Sequence, residues 1–283
     1  MSDAQPSGCR PIWLCADDYG MSAGINTAIR DLVVRGRINA TSVMVVAPSF
    51  HRSEALSLAI LNSGERRVAI GLHLTLSAPF RPLSRHFTPL KNGSFLPLGA
   101  MLMRALLHRL DRPALEAEIA AQIETFVDSF GRAPDFIDGH QHVQLFPQVR
   151  DALLKVMREK APDAWVRQCG GVMPYAGRLR DRKGLFIDTL SRGFRRRATA
   201  LGVHTNPAFA GTYDYNERAD FAGLFPRFLD RLPDGAVVMC HPGFVDEELR
   251  RLDPLTSLRE REYAFLIDES FPAVLARHGV ALA

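Results

Sequence analysis

Short apolar runs alternate with helix-period segments along most of the chain. Residues 11–16 (PIWLCA) predict a strand, and residues 23–36 a helix closed by Gly36. Residues 40–48 predict a strand ended by Pro48, and 53–62 a helix. The β-branched run 67–76 (RVAIGLHLTL) predicts another strand. Residues 77–99, rich in Pro, Gly and aromatics, read as a long loop. Residues 100–130 carry a long helical pattern with a break near Pro113. Then come a strand at 134–144 running into a loop, a helix at 146–161, a strand at 164–169 and a basic helix at 177–202. Residues 235–243 (GAVVMCHPG) predict a strand ending in a turn, 255–271 a helix, and 279–283 a closing strand. Such alternation predicts an α/β fold with a mostly parallel sheet and crossover helices. A single, distorted, TIM-like (β/α) barrel spanning residues 1–283 fits best, with an open doubly wound sheet as the alternative.

Ionisable residues interrupt the apolar runs at particular places. Asp17 and Asp18 follow IWLCA, and His73 sits inside AIGLHLTL. Asp138, His140 and His142 follow DFI, and His241 follows AVVMC. Each group lies at or near the C-terminal end of a predicted strand, where a parallel barrel builds its active site. Taken singly, each has a plainer reading. A lone His in an apolar strand is more often a core histidine. Asp17 and Asp18 would serve as a helix N-cap and acidic first turn. In an extended segment, Asp138, His140 and His142 point to one side. Packing does not explain the conjunction, because burying such groups without partners costs a few kcal/mol each. One carboxylate and two imidazoles on convergent strands make a mixed oxygen–nitrogen site for a divalent metal. His51, His86, His108, His204 and His278 lack comparable context and are expected at the surface or in packing.

Composition narrows the classes. The 283 residues are 47% hydrophobic and 23% charged, enough for a sizeable core. A net charge of +4 does not indicate nucleic acid. The run Arg192–Arg197 could bind phosphate or an anionic surface, but a solvated helix face or loop is expected instead. No stretch approaches ~18 apolar residues, so no integral membrane segment is expected. The start of the chain lacks a charged region followed by an apolar one, so no signal peptide is expected. Cys9, Cys15, Cys169 and Cys240 form no C-x-x-C pair, which points away from disulfides and toward a reducing cytoplasm. Cys15 and Cys240 read as buried small side chains.

ADDYGMSAGINTAI, GLHLTL, DGHQHVQLFP and VVMCHPGF, in that order, resemble the motifs of the YdjC-like carbohydrate deacetylase family. That family includes chitooligosaccharide deacetylases and the hopanoid-associated HpnK type. The resemblance runs from about Ile12 to Leu266. It departs at Tyr19, where the family usually has Phe. TNPAFAGTYDYN, residues 205–216, is weakly similar to the family's substrate-side loop. The resemblance implies a distorted barrel and removal of acetyl from an N-acetylated sugar, either small or lipid-linked. It implies a divalent metal, Mg²⁺ first and Zn²⁺ second, held by Asp18, His73 and His140. It assigns the base to Asp17 and makes His241 a candidate acid, with His142 nearby in an open role.

These residues suit amide hydrolysis, in which a metal acidifies water, a carboxylate takes its proton and an imidazole protonates the leaving nitrogen. Phe80, Phe87 and Phe95 of the long loop are a candidate wall for a sugar ring. Two other classes stay open: a non-haem iron oxygenase, which also uses two His and one carboxylate, and a non-catalytic sugar-binding protein. The sugar, its linkage and a homodimer are left open as well.

Overall fold

The computed structural model describes residues 8–62, 68–171 and 182–283. Among the described residues, eight parallel strands form one sheet around an apolar core. They are β1 (Arg10–Tyr19), β2 (Ala40–Val43), β3 (Ala69–Leu74), β4 (Phe136–Gly139), β5 (Trp165–Val166), β6 (Phe209–Ala210), β7 (Ala236–Cys240) and β8 (Val280–Leu282). The order across the sheet is β5-β4-β3-β2-β1-β7-β6, with β8 on β1. Two contacts join its edges. Thr205 bridges Val166, and the Phe209 amide bonds the Gly170 carbonyl at 3.0 Å. The sheet therefore curls into a distorted barrel, as expected, and the open doubly wound alternative is set aside.

The helices pack outside the sheet, as parallel strands require of their crossovers. They are α1 (Ala23–Val34), α2 (Arg52–Leu61), α3 (Leu98–Leu106), α4 (Arg112–Phe130), α5 (Pro147–Lys160), α6 (Arg182–Ala200), α7 (Phe221–Phe228), α8 (Glu247–Leu252), α9 (Ser257–Ile267) and α10 (Phe271–Arg277). Pro113 sits in the first turn of α4, so the break in the pattern is the start of a second helix. The basic helix is described from Arg182 onward, and its expected residues 177–181 lie outside the described residues. Arg195, Arg196 and Arg197 are exposed while Phe194 is buried, the expected solvated face.

Several expectations change. The strand at 40–48 ends at Val43, and 255–271 divides between α9 and α10. β6, α7 and α8 were not foreseen, because their short mixed segments carry no clear period. Phe80, Phe87 and Phe95 are at most 3% exposed and pack inward, so they are no sugar wall. Cys15 and Cys240 are buried, as expected. No helix among the described residues is long and apolar enough to cross a membrane.

Candidate active site

Adjacent residues on a strand normally face opposite ways. At the end of β1 the pairing with β2 slips between Ala16 and Tyr19, and Asp18 takes φ of 72°. This bulge turns both Asp17 and Asp18 inward, each 1% exposed. Neither caps α1; that role falls to Ser22, whose side chain accepts from the Ile25 amide. Tyr19, the departure from the family pattern, points its hydroxyl at Glu54, 2.8 Å away.

Asp18, His73 and His140 come together at the strand ends. Asp18 Oδ1 lies 3.3 Å from His73 Nε2 and 3.1 Å from His140 Nδ1. One donor atom from each lies within 4.8 Å of the other two. On its far side, His73 Nδ1 faces Asp138 Oδ1 at 2.6 Å. A proton shared there leaves Nε2 turned toward Asp18, the arrangement of a metal-ligating histidine oriented by a carboxylate. Burial opposes charge on His73, but Asp138, Asp18 and Asp17 outweigh it and hold the imidazole up at about 10. Asp18 is buried too, yet Arg259 and the two histidines keep its carboxyl well below the usual range. Arg259 Nη2 reaches Asp18 Oδ2 at 2.7 Å and Asp253 at 2.9 Å. The donor set thus fits a divalent cation in number, type and orientation.

Asp17 has different company. Arg167 grips both its oxygens, at 2.6 and 2.7 Å, and Ser42 donates to Oδ1 at 3.2 Å. Burial raises the Asp17 carboxyl, but the Arg167 charge and hydrogen bonds prevail and hold it at about 2. Arg167 also lies 2.6 Å from Asp138 Oδ2, an off-axis charge contact. Cys15, Asp17 and Asp138 form a second group of clustered donors. Arg167 already neutralises both of these carboxylates, and burial pushes the Cys15 thiol well up, so that group is a poor cation site.

His241 follows β7, whose Cys240 pairs with Ala16. That register sets His241 beside Asp17. Its amide donates to buried Glu262 at 2.5 Å, and Tyr215 packs edge-on against its ring. Asp17, Asp18, His73, His140, His142 and His241 all line one cavity of about 480 Å³.

The extended reading of Asp138, His140 and His142 does not hold. The chain enters a 3₁₀ turn at His140, and Gln141 and His142 take φ of 55° and 60°. Asp138 therefore points behind His73, while His142 swings to Cys169 and Phe209. Packed surroundings and the Arg167 charge push the His142 imidazole down to about 3. Arg167 and Arg259 escaped notice in the sequence. Arg167 carries the same signal as the others, a charge directly after the apolar strand AWV. Arg259 carries none, since it stands in the charged helix LREREYAF.

Among proteins of known sequence, the chain is 28% identical to a carbohydrate deacetylase of Geobacillus stearothermophilus, covering 94% of this chain and 93% of that one. It is also 28% identical to a chitooligosaccharide deacetylase of Proteus mirabilis, covering 94% of each. A solved Enterococcus faecalis V583 protein, provisionally described as a cellobiose-phosphate cleavage protein, superposes with a TM-score of 0.71. At 20% identity over 97% of both chains, it supports the fold alone. The model of one family, the YdjC-like proteins, matches residues 11–277, and the chain belongs to that family.

Proposed function

We propose that the protein is a divalent-metal-dependent hydrolase that removes the acetyl group from an N-acetylated sugar. The observation that carries this is the convergence of Asp18, His73 and His140 on one point, beside Asp17 and His241, in one cavity. The deacetylase names of the two relatives agree with it.

Asp18, His73 and His140 would hold the metal, and the other residues divide the proton work. When bound, a divalent cation lowers the pKa of a water and polarises the acetyl carbonyl. Asp17 accepts the proton of the attacking water on a carboxylate oxygen. Arg167 and Ser42 fix that carboxylate and keep it ionised. His241 donates a proton to the leaving nitrogen from the same cavity. Glu262 and Tyr215 hold its backbone and ring in place. Asp138 orients His73.

Resemblance to the family favours Mg²⁺, whereas two imidazoles favour the softer Zn²⁺. A screen for acetate release decides both substrate and metal. It takes N-acetylglucosamine derivatives, chitobiose and lipid-linked N-acetylated glycosides, each with Mg²⁺, Zn²⁺ or chelator. Release from at least one sugar, lost in chelator, is expected. Oxygen uptake with bound iron would mean an oxygenase instead, and sugar binding without turnover under every metal a binding protein.

A further inference from the structure

Two helices bound the mouth of the cavity. Leu98 and Leu102 reach it from α3, and Phe186, Ile187 and Leu190 from α6. On α3 the apolar surface continues past the mouth. Met103 and Leu107 are each 54% exposed and Leu106 is 38% exposed, while Phe186 across the mouth is 41% exposed. Leu106 stands one turn beyond Leu102, and Met103 and Leu107 form the adjoining row. Scattered exposed leucines are ordinary; a row continuous with a cavity rim is not.

The segment carrying α3 is also biased in charge. Residues 77–110 contain Arg81, Arg85, Lys91, Arg104 and Arg109 and no Asp or Glu. All five cations are exposed, and none forms an ion pair with a described residue. The same loop exposes Leu83 and Leu90. Exposed cations on the same segment as an exposed apolar row, without ion pairs among the described residues, complement a surface that is fluid, anionic and apolar just beneath. Each Lys or Arg near such a surface strengthens attachment roughly fivefold, and apolar side chains sink to the headgroup–acyl boundary.

We propose that this face docks the protein on an anionic phospholipid bilayer. Met103, Leu106, Leu107 and Phe186 enter the headgroup layer, and Arg104 and Arg109 meet the phosphates. The cavity mouth then opens onto the membrane surface. The inference rests on the surface alone, not on the deacetylase reading, and its test reads no catalysis.

The test is co-sedimentation of the full chain with phosphatidylcholine vesicles, with and without about 30 mol% phosphatidylglycerol. Wild type should bind the anionic vesicles at least ~10-fold better, and lose most of that binding in ~0.5 M salt. The double variant Met103→Asn/Leu107→Asn should weaken binding about tenfold, with an unchanged melting temperature. Arg104→Glu/Arg109→Glu should nearly abolish it. Equal attachment to both vesicle types, or binding indifferent to both double variants, overturns the proposal. So does a concentration-dependent dimer that the Met103→Asn/Leu107→Asn change dissolves while vesicles go unbound; the face would then join two copies of the chain.

Discussion

Asp17 and Asp18 are neighbours in the chain, yet different partners hold them: Arg167 the first, Arg259 and two imidazoles the second. Under the proposed function, that difference separates their jobs. A metal ligand must point at the cation, and a base must stay ionised with an oxygen lone pair left for the proton of the water. Asp17→Asn should leave metal content intact and lower turnover by roughly 10²–10⁴-fold, the usual worth of general base catalysis. Asp18→Asn should weaken metal affinity first, with excess metal restoring part of the rate. Metal titration and steady-state kinetics on both variants separate the two, and the reverse pattern would exchange the roles. If both keep near-wild-type rates, the proposed mechanism is wrong. His241→Ala should cost a similar factor of roughly 10²–10⁴ with bound metal unchanged. Loss of the metal in that variant would make His241 a ligand.

Elements position these residues, so some sequence changes should act on the site without touching it. Gly71 lies two residues before His73 in β3, and a β-carbon there would stand 2.4 Å from the Phe136 ring. Gly71→Ala must displace that fully buried ring, at a cost of about 1–3 kcal/mol. Thermal melts should show that loss, and metal affinity should fall with it because His73 and the Asp138 behind it shift. At the start of α8, Asp246 accepts from the Leu249 amide and also grips the Gly24 amide, each at 2.7 Å. Burial works against its charge, but the hydrogen-bond donors together prevail and lower the carboxyl below its ordinary value. A carboxyl lowered in the folded state stabilises above its unfolded pKa and loses that contribution as pH falls through the folded one. Asp246→Ala should therefore cost about 1 kcal/mol at neutral pH, the usual worth of an N-cap. The deficit should begin to shrink below about pH 4 and be lost only as pH falls through the lower folded value, in stability measured against pH. A constant deficit at all pH values would refute the assignment.

At the scale of the whole molecule, the barrel is what makes the site affordable. Asp17, Asp18 and Asp138 lie in the interior against Arg167, Arg259 and His73, so the charges nearly balance without a metal. A site held this way should keep its fold when the cation is removed, unlike a zinc finger. Chelator should abolish acetate release while the far-ultraviolet dichroism stays that of the untreated protein. Readded metal should restore the rate without a refolding lag. Global unfolding on chelation would mean that the metal, and not the ion-pair lattice, holds the strand ends together.

The sequence alone determined where the polar residues interrupt the strands. Hydrophobic periodicity located β1, β3, β4 and β7, and parallel connectivity sent their C-terminal ends to one face. Asp17, Asp18, His73, His140 and His241 were therefore legible as one group before any coordinates. The order of four motifs also carried the family. Tertiary structure decided which way each side chain points. Alternation sets Asp17 and Asp18 on opposite faces, and only the bulge against β2 turns both inward. Alternation equally placed His142 beside His140, and only the 3₁₀ turn carries it to Cys169. Arg259 was out of reach for a further reason. It lies 241 residues from Asp18 in the chain, and its partner is fixed by how α9 closes over the barrel. Local pattern encodes strands and helices because their periods are local. Charge pairing across the core depends on packing, which no single segment contains.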